Sequence, residues 1–548
     1  MYKQDLDPIA HSLGWSSLVA AVPLLLLFVM LGVLRITAWV ASLVSLAVAL
    51  AIGIAVYGMP VGQALLAGTE GAAFGFFPIL WIVINAIWVY QMTVETGHFD
   101  VLRRSFARVS DDQRIQAIII AFSFGALLEA LAGFGTPVAV TSVMLTALGF
   151  KPLKAAVLAL TANTAPVAFG AMATPIITLA KVTGLSSDTL GAMVGRQTPI
   201  LALFVPLALL AIVDGWRGIR ETWPVAVVCG LVFALAQYAT SNFISVPLAD
   251  VVASLLSAAA VVAMVRVWRP REPYTERAAI AGGAADEPTP EFAARVEGRD
   301  TPAEVVRAYA PYLIVIVVFV VCQITPVKKF LDKATIKFHW PGLHLVSPKG
   351  KPVSLVEFTL NLLTTPGTQM LIAGIITMIA LRLSLPRAVK AYGAALHQLR
   401  WAIVTVMGVL ALAFVMNASG QTITLGTWMA AAGGTFALIS PILGWLGVAV
   451  TGSDTSANSL FGALQVTAAN QAGLSPVLMA AGNSSGGVLG KMISPQNLAI
   501  AAAAVGLHGK EGDIFRRVVI WSVVFLVFLC VLSGLQASDL LSWMVPHG

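Results

Sequence analysis

Long apolar stretches constrain this chain more than any other feature of its sequence. The run VAAVPLLLLFVMLGVL occupies residues 19–34, and comparable runs lie at 251–265 and 312–322. They belong to segments close to the roughly 20 apolar residues that cross a bilayer as a helix. Because backbone groups in lipid must bond within their own segment, and the runs lack strand-like alternation, the sequence predicts an all-α polytopic membrane protein.

Composition agrees with lipid as the main solvent. Of the 548 residues, 58% are hydrophobic and 11% are charged, which is too few charges for the surface of a soluble protein. The formal net charge of +7 does not indicate a nucleic-acid partner, because the basic residues lie in short connections between apolar segments. The three cysteines and seven histidines show no metal-ligand spacing, so we expect neither a metal site nor a cofactor.

The basic connections predict the orientation in the membrane. Arginine-bearing segments at 103–114, 216–220, 266–272, 382–390 and 515–517 are all placed on the cytoplasmic side by the positive-inside rule. The N-terminus then lies outside. The lysine-rich loop at 327–358 also falls outside, as an exception to the rule.

A polar insert divides the chain into two halves. Residues 268–307 contain EPYTERAAIAGGAADEPTPEF, which is poor in large apolar residues and typical of a disordered cytoplasmic linker. We therefore expect one transmembrane half at 1–267 and another at 308–548, with roughly 12 to 14 helical spans or hairpin arms in total.

The two halves carry a weak internal repeat. NTAPVAFGAMATP at 163–175 matches NSSGGVLGKMISP at 483–495, with identical Asn, Gly, Met and Pro residues at one constant offset. The predicted repeats cover about 115–200 and about 434–505. The first follows a cytoplasmic segment and the second follows an outward-leading span, so the sequence predicts an inverted repeat of the kind common in secondary transporters.

Glycines and a proline interrupt apolar sequence at equivalent places. EALAGFGTP and VTGSDTSAN predict two re-entrant hairpins, at 115–150 and 434–467, with tips at Gly133–Thr136 and Gly452–Thr455. Non-helical backbone at membrane depth survives only where protein or a water-filled cavity satisfies it. The tips are therefore expected to face a binding site.

Two polar stretches are predicted to interrupt the helices that follow the hairpins, TANTAP at 161–166 and GNSSGG at 482–487. Broken helices offer free N–H groups and a positive dipole end, which suit a carboxylate. The candidate ligands are Asn163, Thr164, Asn483, Ser484 and Ser485, with Thr136 and Thr455 closing the tips. Close helix packing by small residues is the simpler interpretation for any single one; clustering in both halves favours binding for the group.

Eight ionisable residues lie in apolar segments: Glu70, Glu95, Glu129, Lys181, Arg196, Asp250, Asp454 and Lys491. A charge at the bilayer centre costs about 2.5 to 3.5 kcal/mol on insertion scales, which makes a functional role the default hypothesis. Lys181, Asp250 and Glu95 are expected near the interfaces. Glu129 and Asp454 are candidate proton carriers, and Glu129 is favoured because its segment holds no other charge.

Lys491 and Arg196 are candidate cations for an anionic substrate. A structural ion pair with Glu129 or Asp454 is an equally good interpretation of either. A nucleotide-binding loop is not expected around Lys491, because Ser485 and Met492 replace the first Gly and the final hydroxyl residue of G-x-x-x-x-G-K-[ST]. The chain is therefore not predicted to be an enzyme.

Several long motifs resemble the bacterial L-lactate permease family: FPILWIVINAIWVYQMTVETGHFD at 77–100, LLEALAGFGTPVAV at 127–140, ANTAPVAFGA at 162–171, GSDTSANSLFGALQ at 452–465 and NSSGGVLGKMISPQN at 483–497. The resemblance implies a carrier in the bacterial inner membrane that takes up lactate, often also glycolate, together with a proton. The polar turns are also similar to those of the wider ion-transporter group. Sodium-coupled uptake of another small organic anion is the alternative, and oligomeric state is left open.

Overall fold

Helices make up most of the chain, because apolar segments in lipid satisfy their backbone groups locally. The computed structural model describes residues 2–133, 135–275, 300–348, 350, 353–507 and 509–546. The helices before the linker are α1 (Leu13–Phe28), α2 (Ala38–Ala55), α3 (Val61–Phe74), α4 (Trp81–Glu95), α5 (His98–Ala107), α6 (Gln113–Gln116), α7 (Gly125–Ala132), α8 (Thr136–Ala147), α9 (Pro152–Ala162), α10 (Gly170–Thr183), α11 (Ser187–Val194), α12 (Thr198–Phe243) and α13 (Ala249–Val267).

The second half is also mostly helical, and short strands lie at the N-terminus and between residues 335 and 361. Its helices are α14 (Pro302–Gln323), α15 (Thr325–Asp332), α16 (Pro366–Ala380), α17 (Leu385–Ser419), α18 (Gln421–Met429), α19 (Phe436–Thr451), α20 (Asp454–Ala472), α21 (Pro476–Gly490), α22 (Pro495–Ala504) and α23 (Glu511–Gln536). The strands are β1 (Tyr2–Lys3), β2 (Thr335–His339), β3 (Leu345–Val346) and β4 (Glu357–Asn361). β1 pairs in parallel with β3, and β2 pairs antiparallel with β4.

The apolar helices confirm the predicted all-α polytopic fold. Within the described ranges, ten helical stretches are long and apolar enough to cross a membrane, and the bent pair Pro152–Ala162 and Val167–Thr183 would be an eleventh. Thr136–Ala147 and Pro366–Ala380 are shorter apolar helices. The chain is therefore a multi-pass membrane protein built from helices.

The two ends of α17 mark the two faces of the helix bundle. Near its start, Arg387 pairs with Glu95 at 3.2 Å, among the segments predicted to be cytoplasmic. At its other end, the carbonyl of Ser419 accepts a hydrogen bond of 2.9 Å from the Tyr2 hydroxyl. β1 begins at Tyr2 and pairs with β3, so the N-terminus and the lysine-rich loop share one face. The predicted orientation requires the N-terminus and the lysine-rich loop to lie together on the outer side, away from the cytoplasmic segment that contains Arg387.

Residues 276–299 of the predicted linker lie outside the described part of the chain, so the structure describes only its two ends. α14 begins at Pro302, several residues before the predicted boundary at 307. Just before it, the Arg104 guanidinium contacts the Asp300 carboxylate at 2.5 Å and holds the pKa of that carboxyl below its usual value. The end of the linker is thus anchored to α5.

The first predicted hairpin is present as two helical arms. Gln113–Ala132 forms a continuous helical stretch, with π-helical geometry at its centre, and α8 returns from it. Gly133 and Gly135 have positive φ values of 41° and 84°, a conformation that glycine adopts without steric cost. The side-chain amide of Gln113 donates to the Leu148 carbonyl at 3.1 Å, which brings the bases of both arms together.

The second predicted hairpin consists of α19 and α20. It turns at Gly452, whose φ is 74°, and Ser453 caps the start of α20 by accepting from the Ser456 N–H. Both turns therefore lie where the sequence predicted the tips. The re-entrant placement of the hairpins in the bilayer stays a prediction.

The two halves exchange equivalent contacts through the second arms of the hairpins. α8 packs against α22, which follows the interruption in the second half, and α20 packs against α10, which follows the interruption in the first. Small residues permit this approach: a Cβ at Gly462 would lie 2.6 Å from Leu179. Each hairpin is thereby held next to the interrupted helix of the other half.

Candidate functional site

The interrupted helix of the first half lies where TANTAP predicted it. α9 ends at Ala162, and the pair of helices on either side of the interruption bends by 65°. Ala171, Met172 and Ala173 follow with φ values of 43°, 58° and 59°, which L-residues rarely adopt. Regular α-helix is therefore interrupted between about residues 163 and 173, with a short 3-10 helix at Val167–Phe169, in the buried interior.

In the second half the predicted position of the interruption is wrong. GNSSGG at 482–487 lies inside the continuous helix α21, which runs to Gly490. Its glycines allow close packing on α19 instead: a Cβ at Gly486 would lie 2.0 Å from the Pro441 carbonyl, and one at Gly490 would lie 2.2 Å from that of Trp445. The helix breaks one turn later, at Lys491–Ile493, before Ser494 caps α22.

Lys491 at this break forms an ion pair with Glu129 of the first hairpin. Its Nζ lies 2.6 Å from Glu129 Oε1, and both side chains are buried, with residue exposures of 6% and 3%. The second oxygen, Oε2, accepts a hydrogen bond of 2.9 Å from the Asn163 side-chain amide. The carboxylate of Glu129 thus joins the two interruptions.

The pair fits tightly against the backbone of the first interruption. A Cβ at Gly170 would lie 2.7 Å from Glu129 Oε1, so only glycine leaves room for the carboxylate in this position. Two opposite charges brought this close in a low-dielectric interior are stable only as a pair, since either one alone has a large desolvation cost. The cluster therefore needs an overall charge near zero.

Asp454 lies in a second polar network formed by the other hairpin. Its Oδ2 accepts a hydrogen bond of 2.6 Å from the Ser484 hydroxyl. Its Oδ1 is buried without a hydrogen-bond partner among the described residues. A Cβ at Gly487 would lie 2.2 Å from that oxygen, so this helix also needs glycine beside a carboxylate.

Asn458 and Gln465 belong to this network and were missed by the sequence predictions. The Asn458 amide donates to Ser484 Oγ at 3.1 Å and accepts from the Asn483 amide at 2.9 Å. Gln465 donates to Asn483 Oδ1 at 3.2 Å. Asn458 follows Asp454 by four residues, a spacing that places both side chains on one helix face and could have identified it.

The remaining predicted ligands lie near these two networks with few hydrogen bonds of their own. Thr164 is buried and donates to the Thr161 carbonyl. Ser485 Oγ is buried with no partner in the described chain, and Thr455 is buried at the start of α20. Thr136 is half-buried at the start of α8. Substrate contacts by these four residues stay predictions.

Arg196 does not reach the cluster, contrary to its prediction as a substrate cation. Its Nε donates to Asn242 Oδ1 at 3.0 Å, and its Nη1 donates to the Met544 carbonyl at 2.8 Å. Its guanidinium therefore connects the end of α12, at Asn242, to the C-terminal segment, at Met544. Asp250 was expected near an interface and is instead fully buried, whereas Glu95 is partly exposed as expected.

Carboxylates and histidines form no metal site in the part of the chain that the structure describes, since no three His, Cys, Asp or Glu residues come together there. The described cluster is instead one cation, two carboxyls and a set of amides and hydroxyls. Such groups bind a small carboxylate by charge and by hydrogen bonds, without a metal.

Comparison with known proteins agrees with this chemistry. A family profile described as L-lactate permease matches residues 16–539. The L-lactate permease of Escherichia coli (strain K12) is 42% identical, and that of Bacillus subtilis (strain 168) is 40% identical, with 100% of both chains covered in each case. Glycolate permease GlcA of Escherichia coli (strain K12) is 42% identical over 96% of each chain. The chain belongs to the L-lactate permease family.

Proposed function

We propose that the chain is a secondary active transporter of the bacterial inner membrane that imports L-lactate and related 2-hydroxy monocarboxylates, including glycolate, together with a proton. The full-length relatives named L-lactate permease and glycolate permease support this substrate class. The observation that carries the mechanism is the buried ion pair of Lys491 and Glu129. The function requires no enzymatic step and no cofactor.

Charge balance couples the proton to the substrate. In the empty site, Lys491 is neutralised by Glu129. A proton on Glu129 alone would leave the ammonium unpaired, and a lactate anion alone would add an unpaired negative charge. Each of these states carries a desolvation penalty in the membrane interior. With both a proton and lactate bound, Lys491 pairs with the substrate carboxylate and the site is neutral again.

The neighbouring amides and hydroxyls complete the proposed binding site. Asn163 donates to Glu129 in the empty state and is free to donate to the substrate carboxylate once Glu129 is protonated. Asn483 and Ser484 belong to the Asp454 network of the second half, and Asp454 is close enough to Lys491 and Glu129 to interact with their charges. Thr164 and Ser485 add hydroxyl groups, and Thr136 and Thr455 are proposed to close over the substrate at the hairpin tips. Asp454 is the second candidate for the proton.

The predicted inverted repeat accounts for access from both sides. The exchanged contacts of α8 with α22 and of α10 with α20 support equivalent roles for the two hairpins. We propose that both hairpins are re-entrant, that one opens to each side, and that the two structural halves rock against each other around the central site. The buried cluster in this structure then corresponds to a closed state.

Proton coupling also fits the energetics of uptake. An inside-negative potential opposes entry of a lactate anion by about 2.3 kcal/mol per 100 mV, and co-transport with one proton removes that opposition. Membrane vesicles should therefore accumulate labelled L-lactate when the outside is acidic and sodium is absent. Uptake that requires sodium would identify a sodium-coupled carrier instead, and uptake that never exceeds equilibrium would identify a channel.

A further inference from the structure

Asp250 is a fully buried carboxyl that the proposed transport cycle does not use. It lies in the first turn of α13, and its residue exposure is 0%. Oδ1 accepts a hydrogen bond of 2.7 Å from the Gln237 amide, whereas Oδ2 is buried with no hydrogen-bond partner in the described chain. A buried carboxyl oxygen without a partner is costly, so it needs a structural or functional explanation.

Gln237 connects this carboxyl to the interrupted helix of the first half. Its Oε1 accepts from the Thr198 hydroxyl at 3.2 Å, which fixes the orientation of the amide. Its Nε2 donates to Asp250 at 2.7 Å and also approaches the Ala165 carbonyl at 3.4 Å. Ala165 lies two residues after Asn163 in the same non-helical segment. The side-chain amide of Asn163 in turn donates a hydrogen bond to Glu129. The Gln237 amide thus bridges Asp250 and the segment that carries a ligand of Glu129.

The charge of Asp250 would change this bridge. A neutral carboxyl lets the Gln237 amide serve both Asp250 and Ala165, whereas a carboxylate draws the amide towards itself, because hydrogen bonds to charged groups are shorter and stronger. Of the ionisable groups that the structure describes, Glu129 on α7 is close enough to act on Asp250. α12 faces it with the neutral side chain of Gln237, and Val246–Leu248 before α13 carries no charge.

We propose that Asp250 is a positioning residue for transport, which holds residues 163–166 through Gln237 and shifts Asn163 relative to Glu129 when its protonation changes. This inference rests on the proposed function, because it assigns Asp250 a role in the proton dependence of that transport. Its carboxyl contacts neither the Lys491 ammonium nor, in the proposal, the substrate. It acts on both through the position of Asn163.

The test is the pH profile of lactate exchange at equal pH on both sides of reconstituted vesicles. Asp250→Asn keeps a hydrogen-bonding side chain but removes the ionisation. We expect it to shift the midpoint of the profile by about one pH unit. Gln237→Leu removes the bridge and should shift the midpoint similarly, and the double variant should add nothing further. Asp188→Asn is the matched control, since Asp188 is also in the first turn of a helix but is exposed.

A midpoint of Asp250→Asn that coincides with the wild-type and control midpoints would overturn the inference, as would additive shifts in the double variant. If Asp250→Asn does not fold, Gln237→Leu decides alone: a shifted midpoint supports the bridge and an unshifted one refutes it. Wild-type vesicles that exchange no lactate would refute the proposed function itself. The two failures are therefore distinguishable.

Discussion

Lys491 Nζ lies 2.6 Å from Glu129 Oε1, although 362 positions separate the two residues in the chain. The contact joins the helix break of the second half to the hairpin of the first. It also pairs two buried side chains of opposite charge. In the proposed mechanism, this buried ammonium exchanges the Glu129 carboxylate for that of the substrate, and a proton on Glu129 permits the exchange.

Replacing Lys491 by Ala should be strongly destabilising, because the buried Glu129 carboxylate would lose the cation that pairs with it. Loss of one partner from a buried pair typically costs about 3 to 5 kcal/mol. Unfolding in detergent, followed by fluorescence, should show this loss, whereas Lys390→Ala on the exposed face of α17 should change stability by less than about 0.5 kcal/mol. Equal stabilities of the two variants would contradict the buried pair.

The double variant Lys491→Met with Glu129→Gln removes both charges and keeps similar volumes. We expect it to recover most of the lost stability, because replacement of a whole buried ion pair is often neutral. It should nevertheless fail to bind lactate, since no cation remains in the site. Binding measured by calorimetry at wild-type strength would show that Lys491 is not the substrate cation.

Gly170→Ala should disturb the site without changing any charge. The added Cβ would lie 2.7 Å from Glu129 Oε1 and 3.2 Å from its Cγ, so the carboxylate must move away from Asn163 or Lys491. Overpacking of this kind costs about 1 to 3 kcal/mol. Lactate uptake by vesicles should fall sharply, whereas Gly393→Ala, with nothing within 4 Å, should transport normally.

Ser484 and Ser485 provide a matched pair of neighbouring hydroxyls. Ser484→Ala removes the 2.6 Å hydrogen bond to Asp454 Oδ2, and loss of a donor to an acidic group costs about 1.5 to 3 kcal/mol if the carboxyl is charged. Ser485→Ala removes a hydroxyl with no hydrogen-bond partner among the described residues, so stability should not fall. A drop in lactate affinity of Ser485→Ala at unchanged stability would support its predicted substrate contact.

Local sequence features were enough to predict much of the fold. Apolar stretches gave the helices, and the glycines at 133, 135 and 452 correctly marked the turns, because a positive φ restricts the choice of residue. The interruption after Ala162 was also predicted from polar residues in an apolar context. Such features determine the backbone conformation of the residues that carry them, so the local sequence is enough to predict that conformation.

The errors concern residues whose role depends on distant partners. Glycine and serine at 482–487 suit either a broken helix or close packing, and only the approach of α19 selects packing. Arg196 could pair with any acidic group or carbonyl, and its partner lies near the C-terminus at Met544. For Lys491, the sequence left substrate contact and ion pairing equally open. Its pairing with Glu129 is fixed by the tertiary contact between the two halves.

The most direct test of proton-coupled exchange is Glu129→Gln, which fixes the neutral state of this side chain. Lys491 can then pair with lactate but has no partner in the empty site. The loaded carrier therefore changes between its outward-facing and inward-facing states, and the empty carrier does not. We predict that vesicles with this variant exchange labelled lactate at equilibrium but no longer accumulate it in response to a pH gradient. Normal rates in both measurements would show that Glu129 does not carry the proton.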